Sequence, residues 1–296
     1  MCTPSIPPTA SISRSSPSLA PDHIPYAYRR CSYAGTCPLL PGTSLSISKV
    51  LYSPRGTYRL FSYVQFAPIG NAGNPLHRIP MFAALLNAVP SLAIIAPAPR
   101  SYWTSSAARP TQTGLIADHA AALAFATSRF PTSYLTLYGH SLGASAALCL
   151  LATREHVGKD IDTHAGSSDV HGLVLENAFT SLPDMLRALY PQRWLPYRYL
   201  GPFVRDRWDA RAAAHGMHNR ALAHRAMVLV SARDEVVPPP MGREIFDALK
   251  APIETDGSMG RLVVLERALH EDAWRHRDWS QTVKQYLRDL ERNFSK

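Results

Sequence analysis

One serine of the sequence stands in a setting that could make it a nucleophile. Gly139-His140-Ser141-Leu142-Gly143 fits the pattern G-x-S-x-G, and it follows a predicted strand and opens a predicted helix. The glycines allow a strained turn that exposes the serine hydroxyl at the N-terminus of the helix. Helix amides and the helix dipole favour negative charge at that place. The pattern therefore predicts that Ser141 attacks a carbonyl group and that the N–H of Leu142 binds the resulting oxyanion.

A base and an acid that could activate this serine follow it along the chain. A serine hydroxyl is a weak nucleophile, so it needs a histidine base that a carboxylate orients. Asp234 comes shortly after a predicted strand at 226–231, and His270 lies in a loop after a predicted strand at 261–266. The order nucleophile, acid, base predicts a triad of Ser141, Asp234 and His270.

Some neighbouring residues are alternatives for these roles. Glu235 is the alternative for the acid, and its other interpretation is a solvated loop charge. His140 is interpreted as a neighbour of the nucleophile rather than as the base. The second oxyanion donor is assigned to the N–H of Asn71, with Ala72 as its alternative, because the loop at 70–74 follows a strand and is rich in turn-forming residues.

The elements that must position these residues alternate between strand and helix. Strands are predicted at 91–96, 133–138, 171–176, 226–231 and 261–266, and helices at 111–128, 141–154, 181–189, 241–249 and 279–294. Such alternation predicts an α/β fold with a mostly parallel sheet and helices on both faces. Two further β-rich runs, 44–52 and 57–66, are separated by a turn signal and are predicted to pair with each other.

Two segments depart from this alternation. Residues 1–43 are rich in Ser and Pro and are predicted to be a poorly ordered leader, whereas 44–296 form one domain. Residues 190–218 are too long for an ordinary connection, so they are predicted to form a small cap over the carboxyl-end edge of the sheet. The aromatic residues of this insert are expected to line an acyl pocket or simply to pack the cap, and its arginines could meet a membrane surface. These aromatic residues are Tyr190, Trp194, Tyr197, Tyr199 and Phe203.

Composition narrows the classes of function. The chain has 296 residues, 46% hydrophobic and 18% charged, which suits one globular domain. Its net charge of +9 comes with scattered arginines and no nucleic-acid-binding motif, so nucleic acid is not an expected partner. The cysteines show no metal-ligand spacing, and Cys149 is interpreted as a reduced core thiol. No signal peptide or transmembrane helix is evident, which favours an intracellular protein.

Several motifs together resemble the bud-emergence-suppressor type of α/β-hydrolase, near the serine-aminopeptidase-like hydrolases. They follow one another in unbroken order from about residue 58 to residue 294. In chain order they are GNAGN (70–74) with HRIP (77–80), Gly114-Leu115 before Asp118, GHSLGAS (139–145), ENAFTS (176–181), DEVVPP (234–239) and HEDAW (270–274). The resemblance implies an α/β-hydrolase fold with a triad carried on Ser141, Asp234 and His270.

These features predict a hydrolase that transfers an acyl group to water through an acyl-serine intermediate, for which no metal or organic cofactor is needed. The expected substrates are small-molecule or lipid-like esters or thioesters. A serine peptidase or amidase of the same fold is one alternative. A catalytically silent α/β-hydrolase that acts as an interaction protein is another.

The chain departs from the pattern of the family at three places. Ile69 stands where the family usually has a histidine before the oxyanion loop. Arg100-Ser101-Tyr102-Trp103 stands where relatives have Arg-Gly-Tyr-Gly, so this loop is expected to take another path. The connection between Gly56 and Gly70 is short, so a strand of the sheet is expected to be missing or fused. Ile69 and the short connection in the N-terminal half motivate the catalytically silent alternative.

Overall fold

A single eight-stranded sheet forms the centre of the part of the chain that the computed structural model describes, namely residues 27–29, 46–52, 59–65, 78–102, 105, 107–157, 170–250 and 260–294. The strands are β1 (Ala27–Arg29), β2 (Ser46–Tyr52), β3 (Arg59–Gln65), β4 (Leu92–Ala98), β5 (Leu135–His140), β6 (Val170–Glu176), β7 (Met227–Ser231) and β8 (Arg261–Leu265). Their order across the sheet is β1-β2-β4-β3-β5-β6-β7-β8. The strands from β3 to β8 run parallel, whereas β1 and β2 form antiparallel pairs at one edge.

Helices cover both faces of the sheet. They are α1 (Ile79–Ala88), α2 (Gln112–Arg129), α3 (Leu142–Val157), α4 (Leu182–Leu189), α5 (Ala210–His215), α6 (Arg220–Ala223), α7 (Pro239–Lys250) and α8 (Arg277–Phe294). One apolar core includes residues of α1 and α8, and the other includes residues of α2, α3, α5 and α7. In the described residues, no helix combines the length and the apolar character that a membrane span requires.

The positions of these elements confirm the predicted alternation from residue 91 onwards, with boundaries that differ by at most three residues. The central strands β4 and β5 are buried along their whole length, as expected for parallel strands that are covered on both faces. Helix α8 buries one stripe at helical spacing, and its members are Trp279, Val283, Tyr286, Leu287 and Leu290. Cys149 is a free, buried thiol, and burial raises its pKa to about 12.

The strands β2 and β3 do not pair with each other, so the predicted pairing is wrong. β4 lies between them, antiparallel to β2 and parallel to β3. Because β4 is buried on both faces, its backbone groups need a partner strand along each edge. The turn signal falls in residues 53–58, outside the described residues. Strands two places apart in a sheet are separated by about 10 Å, which a short connection can span.

The N-terminal edge of the sheet contains a strand that the sequence did not predict. β1 pairs with β2 and lies within the segment 1–43 that was assigned to the leader. With this addition the sheet of the described residues has eight strands, and between Gly56 and Gly70 it has the single strand β3. The other residues of the leader lie outside the described part of the chain.

The insert at 190–218 packs on the helices that follow β4 and β6. It contains two 3₁₀ turns, Pro196–Tyr199 and Gly201–Phe203, and the short helix α5. Oδ1 of Asp206 accepts the N–H of Gln112 at 2.9 Å, at the start of α2. The carbonyl of Arg207 accepts the N–H of Leu182 at 2.9 Å, at the start of α4. Both helices begin beyond the carboxyl ends of strands, so the insert lies at this edge of the sheet.

Candidate active site

Ser141 lies in a strained turn between β5 and α3. Its φ of 55° is in the left-handed region, which a residue with a β-carbon rarely adopts. A β-carbon on Gly139 would lie 2.5 Å from the Cα of Ala144, so only glycine fits there. Leu142 is the first residue of α3, and its N–H therefore has no acceptor within the helix. The turn brings the serine hydroxyl and the amides of a helix N-terminus to one place.

The imidazole of His270 is held through one nitrogen, while its other nitrogen has no partner. Nδ1 of His270 lies 2.8 Å from Oδ2 of Asp234, and both side chains are buried. Oδ1 of Asp234 accepts the N–H groups of Val236 and Val237 at 2.8 and 2.7 Å, which fixes the carboxylate. Nε2 of His270 is buried and has no hydrogen-bond partner among the described residues. A carboxylate at Nδ1 keeps the proton there, so Nε2 offers a lone pair, as a general base requires.

Glu235 holds the backbone of the loop that carries His270 and does not contact the imidazole. Its Oε2 accepts the N–H of His270 at 3.0 Å. Asp272, in the same loop, accepts the N–H of Leu269 at 2.7 Å. The two adjacent carboxylates therefore have different positions: Asp234 orients the ring, whereas Glu235 orients the loop.

The carbonyl oxygen of His270 is held by residues at the ends of β5 and β6. Nε2 of His140, which directly precedes Ser141, lies 2.8 Å from this oxygen, and Nδ2 of Asn177 donates to it at 3.1 Å. Because Nε2 of His140 faces a carbonyl, it carries the proton, and Nδ1 accepts from the guanidinium of Arg78 at 3.3 Å. The rings of His140 and His270 have centroids 4.8 Å apart. These contacts place His270 beside the turn that carries Ser141.

The environment of His140 keeps this residue neutral. Burial lowers the pKa of His140 well below its usual value, and the guanidinium of Arg78 lowers this pKa further. His140, His270 and Glu271 offer ligand atoms within 4.8 Å of one another, as a metal site would. The guanidinium of Arg78 contacts both His140 and Glu271, so a positive charge already lies in this cluster. That charge disfavours a bound cation.

Sequence reasoning gave no role to Asn177 or Arg78. Asn177 has a φ of 50°, and its Oδ1 accepts the N–H of Ser231 at 2.8 Å, so it connects the end of β6 with the end of β7. An asparagine directly after an apolar strand was the available signal, because asparagine tolerates the left-handed region. Arg78 had no local signal, since its partners His140 and Glu271 are 62 and 193 residues away.

The remaining predicted features fall partly outside the described residues. Asn71 and its alternative Ala72 lie there, and so does Ile69. Ser101 is described, and its φ of 64° is the left-handed conformation that glycine favours. The serine thus adopts a backbone conformation that suits a glycine, so the replacement by itself does not require another path. Arg100, next to it, is held by two side-chain hydrogen bonds of 2.9 and 2.8 Å to Asp118.

Four aromatic side chains of the insert are largely exposed to solvent, whereas Trp208 is buried. Trp194 and Phe203 are each 80% exposed, and Tyr197 and Tyr199 are 52% and 58% exposed. The expectation of packing within the cap is wrong for Trp194 and Phe203, whereas the rings of Tyr190 and Tyr197 pack on each other with centroids 5.2 Å apart. The acyl pocket stays a prediction. The insert therefore presents an aromatic surface at the same edge of the sheet as Ser141.

Curated relatives match part of the chain, although no protein-family model does. The chain is 25% identical to the protein bem46 of Schizosaccharomyces pombe over 172 residues, which are 57% of this chain and 50% of that protein. It is 29% identical to the alpha/beta hydrolase domain-containing protein WAV2 of Arabidopsis thaliana over 179 residues, which are 57% of this chain and 52% of that protein. The chain thus spans about half the length of the curated relatives it matches.

Solved structures share the fold over nearly the whole chain. An esterase of Pyrococcus furiosus, Pf2001, has a TM-score of 0.62 at 14% identity, covering 93% of this chain and 96% of that one. Acetyl xylan esterase 1 of a Thermoanaerobacterium species has a TM-score of 0.60 at 14% identity, covering 96% and 89%. XC6422 of Xanthomonas campestris, a serine hydrolase without a lid, has a TM-score of 0.51 at 18% identity, covering 94% and 97%. The chain therefore has the α/β-hydrolase fold, as its motifs predicted.

Proposed function

We propose that the protein is a serine hydrolase that cleaves a carboxylic ester or thioester and transfers the acyl group to water. The observation that carries this function is the buried pair of Asp234 and His270, in which Nε2 of His270 lacks a partner among the described residues. An unbound polar atom in a packed interior costs stability, so folding alone gives no reason to keep it. A general base beside the turn of Ser141 requires such an atom.

The proposed mechanism gives each residue one step. His270 takes the proton of Ser141 while the serine oxygen attacks the acyl carbonyl, and Asp234 stabilises the imidazolium. The N–H of Leu142 donates to the oxyanion, and the N–H of Asn71 is proposed as the second donor. His270 then gives the proton to the leaving alcohol or thiol, and water attacks the acyl-serine in the same way. These steps need no metal or organic cofactor.

The surroundings of the triad favour an ester or thioester over the peptide substrate of an aminopeptidase. A site for a substrate amino terminus needs an available carboxylate. Near the described triad, Glu271 is paired with Arg78, and Asp272 accepts the N–H of Leu269. Val236 and Leu269 are exposed apolar residues on the loops of the triad, which suits a lipid-like acyl group.

Labelling with a fluorophosphonate probe tests this function, because the probe requires an activated serine. The native protein is expected to be labelled, and the variants Ser141→Ala and His270→Ala are expected to lose the label. His215→Ala and Ser280→Ala serve as matched controls, because they remove the same side-chain types from α5 and α8. Circular dichroism would verify that every variant remains folded.

Two outcomes would contradict the proposed function. A folded native protein that does not react would favour a catalytically silent α/β-hydrolase that acts by binding. Labelling that persists in Ser141→Ala would place the reactive group elsewhere. For a labelled protein, kcat/KM values on p-nitrophenyl esters, acyl thioesters and aminoacyl anilides would then distinguish the esterase from the peptidase or amidase.

A further inference from the structure

The exposed large apolar side chains of the described residues concentrate at the edge of the sheet that carries the triad. Seven belong to the segment 189–203, and the other two lie on the loops of Asp234 and His270. The nine residues are Leu189, Tyr190, Trp194, Tyr197, Tyr199, Leu200, Phe203, Val236 and Leu269. We call them the aromatic face. A soluble protein that collects its exposed apolar side chains in one region commonly uses that region for contact.

Arginines without acidic neighbours in the sequence accompany the aromatic face. The segment between Asp184 and Asp206 contains no acidic residue and contains four arginines, namely Arg187, Arg193, Arg198 and Arg205. Arg187 pairs with Asp184 at 2.8 Å. Within the described part of the chain, Arg193 and Arg205 form no ion pair, and Arg198 donates to the carbonyl of Pro191. The segment 185–205, which supplies seven of the nine residues of the aromatic face, therefore carries net positive charge.

The arrangement of these residues suits a lipid surface. Arginines are interspersed with the aromatic residues between Tyr190 and Arg205, and Arg198 stands between Tyr197 and Tyr199 in one 3₁₀ turn, so the segment is mixed and not a continuous apolar stripe. Tryptophan and tyrosine favour the boundary between lipid chains and water, and arginines there interact with anionic headgroups. A protein partner would have to offer both apolar and acidic groups to the same face.

We propose that the aromatic face docks on an anionic lipid membrane surface. Docking turns the carboxyl-end edge of the sheet towards the bilayer, because the insert is bonded to the first residues of α2 and α4 at this edge. It would supply the triad with lipid-like acyl substrates, and this consequence rests on the proposed hydrolase function. The binding itself does not depend on catalysis.

Vesicle binding by the full chain carrying Ser141→Ala tests the docking without turnover. We expect sedimentation with vesicles of phosphatidylcholine that contain about 30% phosphatidylserine, much weaker binding to phosphatidylcholine alone, and weaker binding at high salt. Arg193→Gln should weaken binding about fivefold, which corresponds to one basic residue near the surface. Arg288→Gln on α8 removes the same charge from another layer of the fold and should change binding little.

The aromatic contribution is tested with two further variants. Trp194→Ser combined with Phe203→Ser should reduce binding at least tenfold, on the order of the loss expected when two large side chains stay in water. Both residues are 80% exposed, so thermal unfolding should be nearly unchanged. Trp194→Phe should keep the binding and lose the part of the vesicle-induced blue shift in tryptophan fluorescence that Trp194 contributes, because this side chain is 80% exposed.

Three results would overturn the docking. The first is equal binding to neutral and anionic vesicles, and the second is an equal loss for Arg193→Gln and Arg288→Gln. The third is self-association, measured by sedimentation equilibrium, that Trp194→Ser with Phe203→Ser abolishes while vesicles are not bound. That result would assign the face to a second copy of the chain. Fluorophosphonate labelling of the native protein is measured separately, so failure of the docking and failure of the hydrolase function remain distinguishable.

Discussion

Asp234 and Glu235 are adjacent carboxylates on one loop, and the fold gives them different hydrogen-bond partners. Oδ1 of Asp234 accepts the N–H groups of Val236 and Val237, which leaves Oδ2 directed at Nδ1 of His270. Among the described residues, the one hydrogen bond of Glu235 is to the backbone N–H of His270. Sequence order alone could not separate these two residues with certainty, because both follow β7. The structure distinguishes them because the backbone N–H groups of Val236 and Val237 hold the carboxylate of Asp234 and not that of Glu235.

This difference predicts unequal effects of two amide substitutions. In Asp234→Asn the two backbone N–H groups keep the amide oxygen, so the NH₂ group faces Nδ1 of His270. The imidazole must then carry its proton on Nε2, and kcat for an ester substrate should fall about 10⁴-fold. In Glu235→Gln the amide oxygen still accepts the N–H of His270, so kcat should fall less than about tenfold. Equal losses in the two variants would contradict the assignment of the acid.

The ends of three strands meet at Asn177. It follows β6, its Oδ1 accepts the N–H of Ser231 at the end of β7, and its Nδ2 donates to the carbonyl of His270 after β8. Nδ2 also lies 3.0 Å from Oγ of Ser231. Because these bonds join elements that are distant in sequence, Asn177 determines where the base loop lies relative to the sheet.

Asn177→Gly should therefore lower kcat more than it alters KM. Glycine accepts the φ of 50° at this position, so the backbone turn is kept while the bond to the base loop is lost. A displacement of the base by a fraction of an ångström to 1 Å should lower kcat about tenfold to a hundredfold. Ser231→Ala is the matched control, because it removes a buried hydrogen bond of Asn177 without touching His270. If both variants lowered kcat equally, Asn177 would have only a structural role.

The five strands and the five longer helices after residue 91 were predictable because local sequence determines them, whereas the short helices α5 and α6 were not predicted. The strands are short apolar runs, and a helix such as α8 buries one stripe at helical spacing, so a window of a few residues contains the signal. The pairing of β2 with β4 was not predictable in this way. It depends on the hydrogen bonds that the buried strand β4 must form with a neighbouring strand on each side. The three-residue strand β1 is too short to show any period.

The candidate triad was predictable because its residues follow strand ends in a fixed order. The residues that hold it were not predictable from spacing. Arg78 contacts His140 and Glu271 across 62 and 193 residues of sequence, and such distances leave no local pattern. The exposure of Trp194 was also missed, because the residue type alone does not show whether an aromatic side chain is buried or exposed.

At the scale of the whole molecule, one buried carboxyl connects the site with the helix layer that contains α8. Oε2 of Glu176 accepts the indole N–H of Trp279 at 2.8 Å and the hydroxyl of Tyr138, while Oε1 lies 3.9 Å from Nε2 of His140. Burial raises the pKa of Glu176 from 4.5 to about 7, although the bond from Trp279 and the charge of Arg78 lower it. Glu176 is therefore largely protonated in the folded protein at mildly acidic pH.

The raised pKa makes the contribution of Glu176 to stability depend on pH. The folded protein holds this proton more tightly than the unfolded chain does, so the contribution is complete below pH 4.5 and is lost as pH rises through about 7. The lowered pKa of His140 acts in the opposite direction, since folding then excludes a proton that the unfolded chain binds. A variant in which residue 176 is neutral at every pH keeps the effect of His140 on stability. Comparison of this variant with the native protein therefore isolates the effect of Glu176.

Glu176→Gln is expected to remove this pH dependence while keeping the shape of the side chain. Its amide oxygen can still accept from Trp279 and Tyr138. Chemical denaturation from pH 4.5 to pH 8 should give similar free energies of unfolding for native and variant proteins at the acidic end. The native protein should become the less stable of the two by at most about 3 kcal/mol above pH 7. Glu266→Gln, which replaces an exposed carboxylate, should show a constant difference. A constant difference for Glu176→Gln as well would show that this buried carboxyl does not hold a proton in the folded protein.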